Sequence, residues 1–171
     1  MMEKSIEHKD LPQIGEREDE LLKKIAEHIN SGTSYVLVTH VHPDGDAVGS
    51  ILALQAVLKS MGKKVKSFCE DGIPSTFQFL EGAKDILSDV QDNPVSPSDT
   101  VIFLDCGAID RCGKNLLKML TPSNFIINID HHIQENPFGN LFWVKTSFSS
   151  TCEMIFELLS FMNITITPDV A

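Results

Sequence analysis

His40, Asp44 and Asp46 fall within the string T-H-V-H-P-D-G-D-A-V-G-S, directly after an apolar run and directly before a helical one. Two further places repeat that arrangement. V-I-F-L-D-C-G delivers Asp105 at the end of an apolar run, and F-I-I-N-I-D-H-H delivers Asp130, His131 and His132. Carboxylates and imidazoles together suit manganese and related divalent ions better than a thiolate-seeking metal. Two such ions about 3.5–4 Å apart, bridged by one carboxylate, stabilise the attacking and leaving oxygens of an in-line displacement at phosphorus. The donor set His40, Asp44, Asp46, Asp105 and His131 therefore points to hydrolysis of a phosphate ester.

Each fragment also has a plainer reading. Asp44 to Asp46 reads equally as a turn with a helix N-cap, where Asp and Gly are favoured. Asp105 after a strand reads as a routine cap, and the adjacent His131 and His132 as a hydrogen-bonded pair. What favours the metal reading is that all of these groups fall at strand ends. His8 and His28 read as surface residues, and Cys106, in an apolar run, as a small buried hydrophobe.

The elements that must carry these residues are legible from periodicity. Glu16 to Gly32 has Leu21, Leu22, Ile25, Ala26 and Ile29 at helical spacing, with acids at its start and Gly at its end. Short continuous apolar runs predict buried strands at Tyr35–Thr39, Val65–Cys69, Thr100–Leu104 and Phe125–Ile129, with a short fifth at Leu141–Val144. Helices are expected over Asp46–Met61, Lys114–Leu120 and Ser149–Met162, and partly over Phe77–Leu87. Strands alternating with helices imply an α/β fold, a mostly parallel sheet with helices on both faces. Such a sheet binds ligands in the crevice beyond the carboxyl ends of its strands, where all three Asp/His groups would meet.

Bulk properties set the limits. The 171 residues can enclose one sizeable core, and 42% hydrophobic with 22% charged residues is ordinary for a globular chain. A net charge of −10 argues against gripping long nucleic acid by a basic surface. It leaves a nucleotide substrate open, because bound divalent ions reverse the field of a carboxylate cluster. The four cysteines form no C-x-x-C pair, so no disulfide framework is implied, and the N-terminus lacks a secretory apolar stretch. A cytoplasmic chain without membrane attachment is expected. A homodimer is compatible with all of this.

The H-x-x-P-D-G-D-A-x-G-S string, the strand-end Asp105 and the D-H-H triplet, in that order, resemble the DHH phosphoesterases. They are most similar to the branch of oligoribonucleases that also dephosphorylate 3′-phosphoadenosine 5′-phosphate. The resemblance spans Tyr35 to Met162. It implies that His40 and Asp44 hold one Mn2+ ion, Asp46 and His131 a second, and that Asp105 bridges them. It implies that Asp130 supports the neighbouring imidazoles and that His132 contacts the phosphate or assists the leaving group. Arg111 lies where relatives often keep an Arg and would contact phosphate, with an ion pair to Asp110 as the alternative. Ser149, Ser150 and Thr151 match an S-S-T-x-E segment, for which helix capping is an equal explanation.

The implied activity is metal-bound hydroxide attacking short RNA or 3′-phosphoadenosine 5′-phosphate. Cyclic or linear dinucleotides are an alternative substrate class, and a non-catalytic metal-binding or interaction module an alternative of a different kind. Two departures from the family pattern bear on this. His42 stands where relatives commonly have Asn, which would alter a hydrogen bond or place an extra imidazole near the metals. Residues 1–15 read as a polar lead-in and 16–171 as a catalytic domain that ends before a fourth motif, Asp-Thr-Gly, and a C-terminal substrate-binding domain. Asp169 has no Thr-Gly after it and is not assigned that role, so the second metal is expected to be one donor short.

Overall fold

In the computed structural model, residues 14–91, 93–168 and 170 are described, with side chains from Glu18 onward. Residues 1–13 of the polar lead-in, His8 among them, and Asp169 lie outside the described residues. Helix α1 runs Ile14–Ser31, so the expected boundary at residue 15 falls within it. Strand β1 (Ser34–Val38) follows, then α2 (Gly45–Ser60) and β2 (Lys64–Phe68). Strand β3 is only Ile86–Leu87, and β4 spans Thr100–Leu104. The chain continues through α3 (Lys114–Met119), β5 (Phe125–Asp130), β6 (Leu141–Val144) and α4 (Thr151–Phe161).

The strands form one sheet in the order β3-β2-β1-β4-β5-β6, every pair parallel. The expected α/β architecture is therefore the one that forms, with a sixth strand added. That strand corrects the expectation of helix within Phe77–Leu87. Single 3-10 turns at Ser75–Phe77 and Ala83–Asp85 occupy the segment instead, and Gly82, with φ of 78°, precedes the second. Its scattered apolar residues imitate helical spacing, but a left-handed Gly and a chain returning to the sheet edge break the helix.

Both faces of the sheet are covered. Leu22, Ile25 and Ile29 of α1, Ile51, Leu54 and Leu58 of α2, and Met154, Ile155 and Leu158 of α4 pack on one face against Leu37, Ile102 and Ile127. On the other face Val36, Val38, Val101 and Phe103 meet Leu116 of α3 with Val90 and Val95 of the loop between β3 and β4. Strand β4 is buried along its whole length, which is why it reads as an unbroken apolar run. Helices α2 and α4 approach closely at Gly49. A side chain there would bring its Cβ to 2.8 Å from Cys152 Sγ. This contact brings the start of α4 to the start of α2.

His28 is not the surface residue expected. It is half-buried, its Nε2 is 2.8 Å from Thr100 Oγ1, and its ring stacks on Phe125 with centroids 4.0 Å apart. It pins the end of α1 to the start of β4 and β5.

The sheet order carries the functional consequence. The chain leaves β1 for β2 and β3 on one side, then returns to place β4, β5 and β6 on the other. The direction of winding thus reverses between β1 and β4. At that point two neighbouring loops diverge and open a crevice at the carboxyl edge. His40 follows β1 and Asp105 follows β4, so both stand at this reversal.

Candidate metal centre

Beyond β1 the chain is held by backbone bonds: Thr39 N–H donates to Phe68 O at 3.2 Å, and Val41 N–H to Arg111 O at 2.8 Å. Between them His40 turns inward and is 5% exposed. Its Nδ1 is 2.7 Å from Val41 O, and since a carbonyl only accepts, Nδ1 carries the proton. That bond fixes the ring so that Nε2 faces Asp105 Oδ2 at 3.5 Å. A backbone carbonyl on one imidazole nitrogen is the usual way a ligating histidine is oriented.

Asp44 serves two purposes. Its Oδ1 accepts from Asp46 N–H at 3.0 Å and Ala47 N–H at 3.1 Å, capping α2. The capping reading is thus correct, and it does not exclude the other. Asp44, His40 and Asp105 each offer a ligating atom within 4.8 Å of the others. Asp46, at the first turn of α2, points toward β5 and α4. Its Oδ2 is 3.5 Å from His131 Nε2.

Asp105 is the convergence point. It is 1% exposed and adopts φ of 60°, a left-handed conformation uncommon for a residue with a Cβ. Its N–H donates to Ile129 O at 3.1 Å, which anchors the strained turn to β5. Oδ1 accepts the Thr151 hydroxyl at 2.9 Å and lies 3.7 Å from His131 Nε2 and 3.5 Å from His132 Nδ1. Oδ2 is buried and has no hydrogen-bond partner. Burial alone would raise the Asp105 pKa. The His40 and Thr151 contacts and the nearby His132 outweigh it and hold the carboxyl below its usual range. In turn the Asp105 carboxylate raises the His40 pKa, against burial, with the Val41 carbonyl adding to the rise.

His131 and His132 differ in what they can do. His132 Nδ1 is 2.8 Å from Asp130 Oδ1, so that nitrogen is a proton donor and its lone pair is not free. Asp130 is fully buried, and its other oxygen accepts Gln134 Nε2 at 2.6 Å. Gln134 also donates to Cys106 O at 3.2 Å and accepts from Asn128 Nδ2 at 3.1 Å. A chain of hydrogen bonds, Asn128 to Gln134 to Asp130 to His132, thus supports the second imidazole.

These residues fit a divalent cation. A buried carboxylate oxygen without a donor costs about 1–3 kcal/mol or more when charged. Asp105 Oδ2 is such an atom, and it faces His40 Nε2, the ring nitrogen left for a cation because Val41 O holds a proton on Nδ1. His40, Asp44 and Asp105 form one donor group. Around the same carboxylate Asp105, His131 and His132 lie close enough to form another, in which the Asp130 bond already occupies His132 Nδ1. Asp46 joins the second group through its contact with His131.

Arg111 is exposed and, among the described residues, forms no ion pair with Asp110 or another acid. It lines an open cleft of about 700 Å³ together with Gly107, His131, His132, Ile133 and Thr146. His42 stands apart. It is 90% exposed and pairs through Nδ1 with Asp71 Oδ2 at 2.9 Å, with φ of 54°. Two residues that sequence reasoning did not single out as site residues are Gln134 and Thr151. The S-S-T-x-E segment was the available signal for Thr151, but capping explained it equally well. In the fold Ser150, not Thr151, makes the cap, accepting from Glu153 N–H at 3.0 Å.

Residues 34–171 match the model of the DHH family, N-terminal domain. The chain is 31% identical over 154 residues to the bifunctional oligoribonuclease and PAP phosphatase NrnA of Thermus thermophilus, covering 89% of this chain and 44% of that protein. It is 33% identical over 124 residues to the protein of that name from Bacillus subtilis, covering 72% and 37% respectively. Among solved structures, an exopolyphosphatase-related protein from Bacteroides fragilis superposes with a TM-score of 0.74 at 28% identity, covering 84% of this chain and 44% of that one. The chain spans less than half the length of these relatives.

Proposed function

The chain belongs to the DHH family, and from that membership and the geometry of its acid–imidazole cluster we propose that it is a cation-dependent phosphoesterase. The substrates proposed are short oligoribonucleotides and 3′-phosphoadenosine 5′-phosphate, in keeping with the names of the relatives from Thermus thermophilus and Bacillus subtilis. The single observation that carries the reading is Asp105, a buried carboxylate at which His40 converges from one side and His131 from the other.

His40, Asp44 and Asp105 would hold one divalent ion, and Asp105, Asp46 and His131 the other, with Mn2+ as the proposed metal on the donor types. When bound, such ions supply positive charge to a phosphate ester and lower the pKa of water toward neutrality. The chain's own groups do the rest. Asp130 holds a proton on His132 Nδ1, so that Nε2 is the nitrogen left for the cleft, and with a second proton there it can donate to a phosphate oxygen or leaving group. Arg111, on the same cleft and without an acidic partner among the described residues, provides a fixed cation for phosphate oxygens. No membrane is needed in this account, and among the described residues no helix is long and apolar enough to cross one.

Purified chain incubated with Mn2+ and either a ribodinucleotide or 3′-phosphoadenosine 5′-phosphate tests the proposal by release of mononucleotide or inorganic phosphate. Turnover that stops on chelation supports it. Tight cation binding with no turnover of either substrate favours a non-catalytic metal-binding module instead.

A further inference from the structure

The start of α4 touches both carboxylates expected to serve the second ion, although they come from different elements. Thr151 N–H donates to Asp46 Oδ2 at 2.7 Å, and Cys152 N–H to Asp46 Oδ1 at 2.8 Å. The Thr151 hydroxyl donates to Asp105 Oδ1 at 2.9 Å. Thr151 is completely buried.

A helix begins with N–H groups that no intrahelical carbonyl can reach. In α4 the N–H groups of Thr151 and Cys152 are taken by Asp46 and that of Glu153 by the Ser150 hydroxyl. The helix is therefore capped without the Thr151 hydroxyl. That hydroxyl is spare for local structure, and it reaches a residue 46 positions earlier in the chain. The pairing is specific in direction: an ionised carboxylate only accepts, so the hydroxyl proton is committed to Oδ1. Rotation of the Asp105 carboxyl about its last bond is thereby restrained, with Oδ2 left free toward His40 and one lone pair of Oδ1 still free toward His131.

We propose that Thr151 is a positioning residue of the metal centre, one that sets the Asp105 carboxyl plane and, through its own N–H, the distance of Asp46 from it. This rests on the reading of Asp46 and Asp105 as cation ligands. Hydrogen bonds of this kind to metal ligands are worth about 10–100-fold in metal affinity or activity.

The test compares Mn2+ binding to the full chain by free-ion electron paramagnetic resonance for the wild type, Thr151→Val, Thr151→Ala and Thr151→Ser. The expected result is a loss of affinity of about 10–100-fold in the two variants lacking the hydroxyl, with recovery to near wild type in Thr151→Ser. Wild-type affinity in a folded Thr151→Val or Thr151→Ala, or equal weakness in Thr151→Ser, overturns the inference while leaving the metal centre standing. Should both hydroxyl-free variants fail to fold, Mg2+ titration of the wild type by amide NMR decides. Thr151 and Cys152 resonances must shift as the carboxylates they hold are engaged, and resonances unmoved at saturation overturn the assignment. A wild type that binds neither cation overturns both this inference and the reading beneath it.

Discussion

His40 Nε2 and Asp105 Oδ2 face one another at 3.5 Å, two buried groups from neighbouring strand ends, and the oxygen has no hydrogen-bond donor. Good N–H···O bonds fall near 2.9–3.0 Å. The pair is thus held in opposition by the bonds around it, namely Val41 O on the far side of the imidazole and Thr151 on the other carboxylate oxygen.

This opposition predicts that a cation stabilises the fold. A ligand at 100 times its dissociation constant adds about 2.7 kcal/mol when it binds only the native state. Mn2+ should raise the melting temperature of the wild type by several degrees and that of His40→Gln far less. The emission of Trp143, which is buried and the sole tryptophan, reports unfolding. Equal shifts in both proteins would remove His40 from the site.

The hydrogen-bond chain ending at His132 makes a second prediction. Gln134→Leu removes the amide that satisfies Asp130 Oδ2 and leaves that buried oxygen without a donor. Turnover should fall about 10-fold or more, with substrate KM nearly unchanged. The His132 Nδ1–H resonance should move as well. A variant with wild-type kinetics would show the chain to be structural only.

Arg111→Ala should act on substrate and not on metal. Losing a charged hydrogen bond to phosphate costs about 1.5–3 kcal/mol, so KM should rise at least about 10-fold while Mn2+ affinity is unchanged. A drop in metal affinity without a change in KM would contradict the cleft assignment.

His28 supplies a pH-dependent prediction away from the site. Burial lowers its pKa below 6.5 in the folded chain. Between that depressed value and 6.5 the unfolded chain binds more protons, so this residue's contribution to stability is lost as pH falls through that window. Its neighbours there are the Thr100 hydroxyl and the Phe125 ring, neither of which compensates an imidazolium with opposite charge. Urea unfolding at pH 7.5 and 5.5 should show a smaller acid-induced loss in His28→Gln than in the wild type. A larger loss in the variant would reverse the sign of this account.

The sheet and the strand-end placement of the acids and imidazoles were legible because parallel strands buried on both faces are continuous apolar runs, and their ends are marked by polar residues. The switch between β1 and β4 was not legible, since strand order is set by long-range pairing. Nor was Thr151's reach to Asp105: a Thr in the first helical turn looks the same in sequence whether its hydroxyl caps or turns inward. Gln134 gave no signal at all, because its partners Asn128, Asp130 and Cys106 meet only after β4 and β5 pair. His28 was misread for a related reason, as a polar residue late in an amphipathic helix that happens to lie over Phe125. His42, expected to alter a hydrogen bond or add an imidazole near the metals, instead faces solvent, paired with Asp71.

The most direct measurement of the central claim is Mn2+-dependent hydrolysis of a ribodinucleotide by the wild type and by Asp105→Ala, side by side and with circular dichroism to verify folding. If Asp105 unites the two donor groups, the wild type releases mononucleotide only with the cation, and the folded variant releases none above the uncatalysed background. Undiminished turnover by Asp105→Ala would contradict the account.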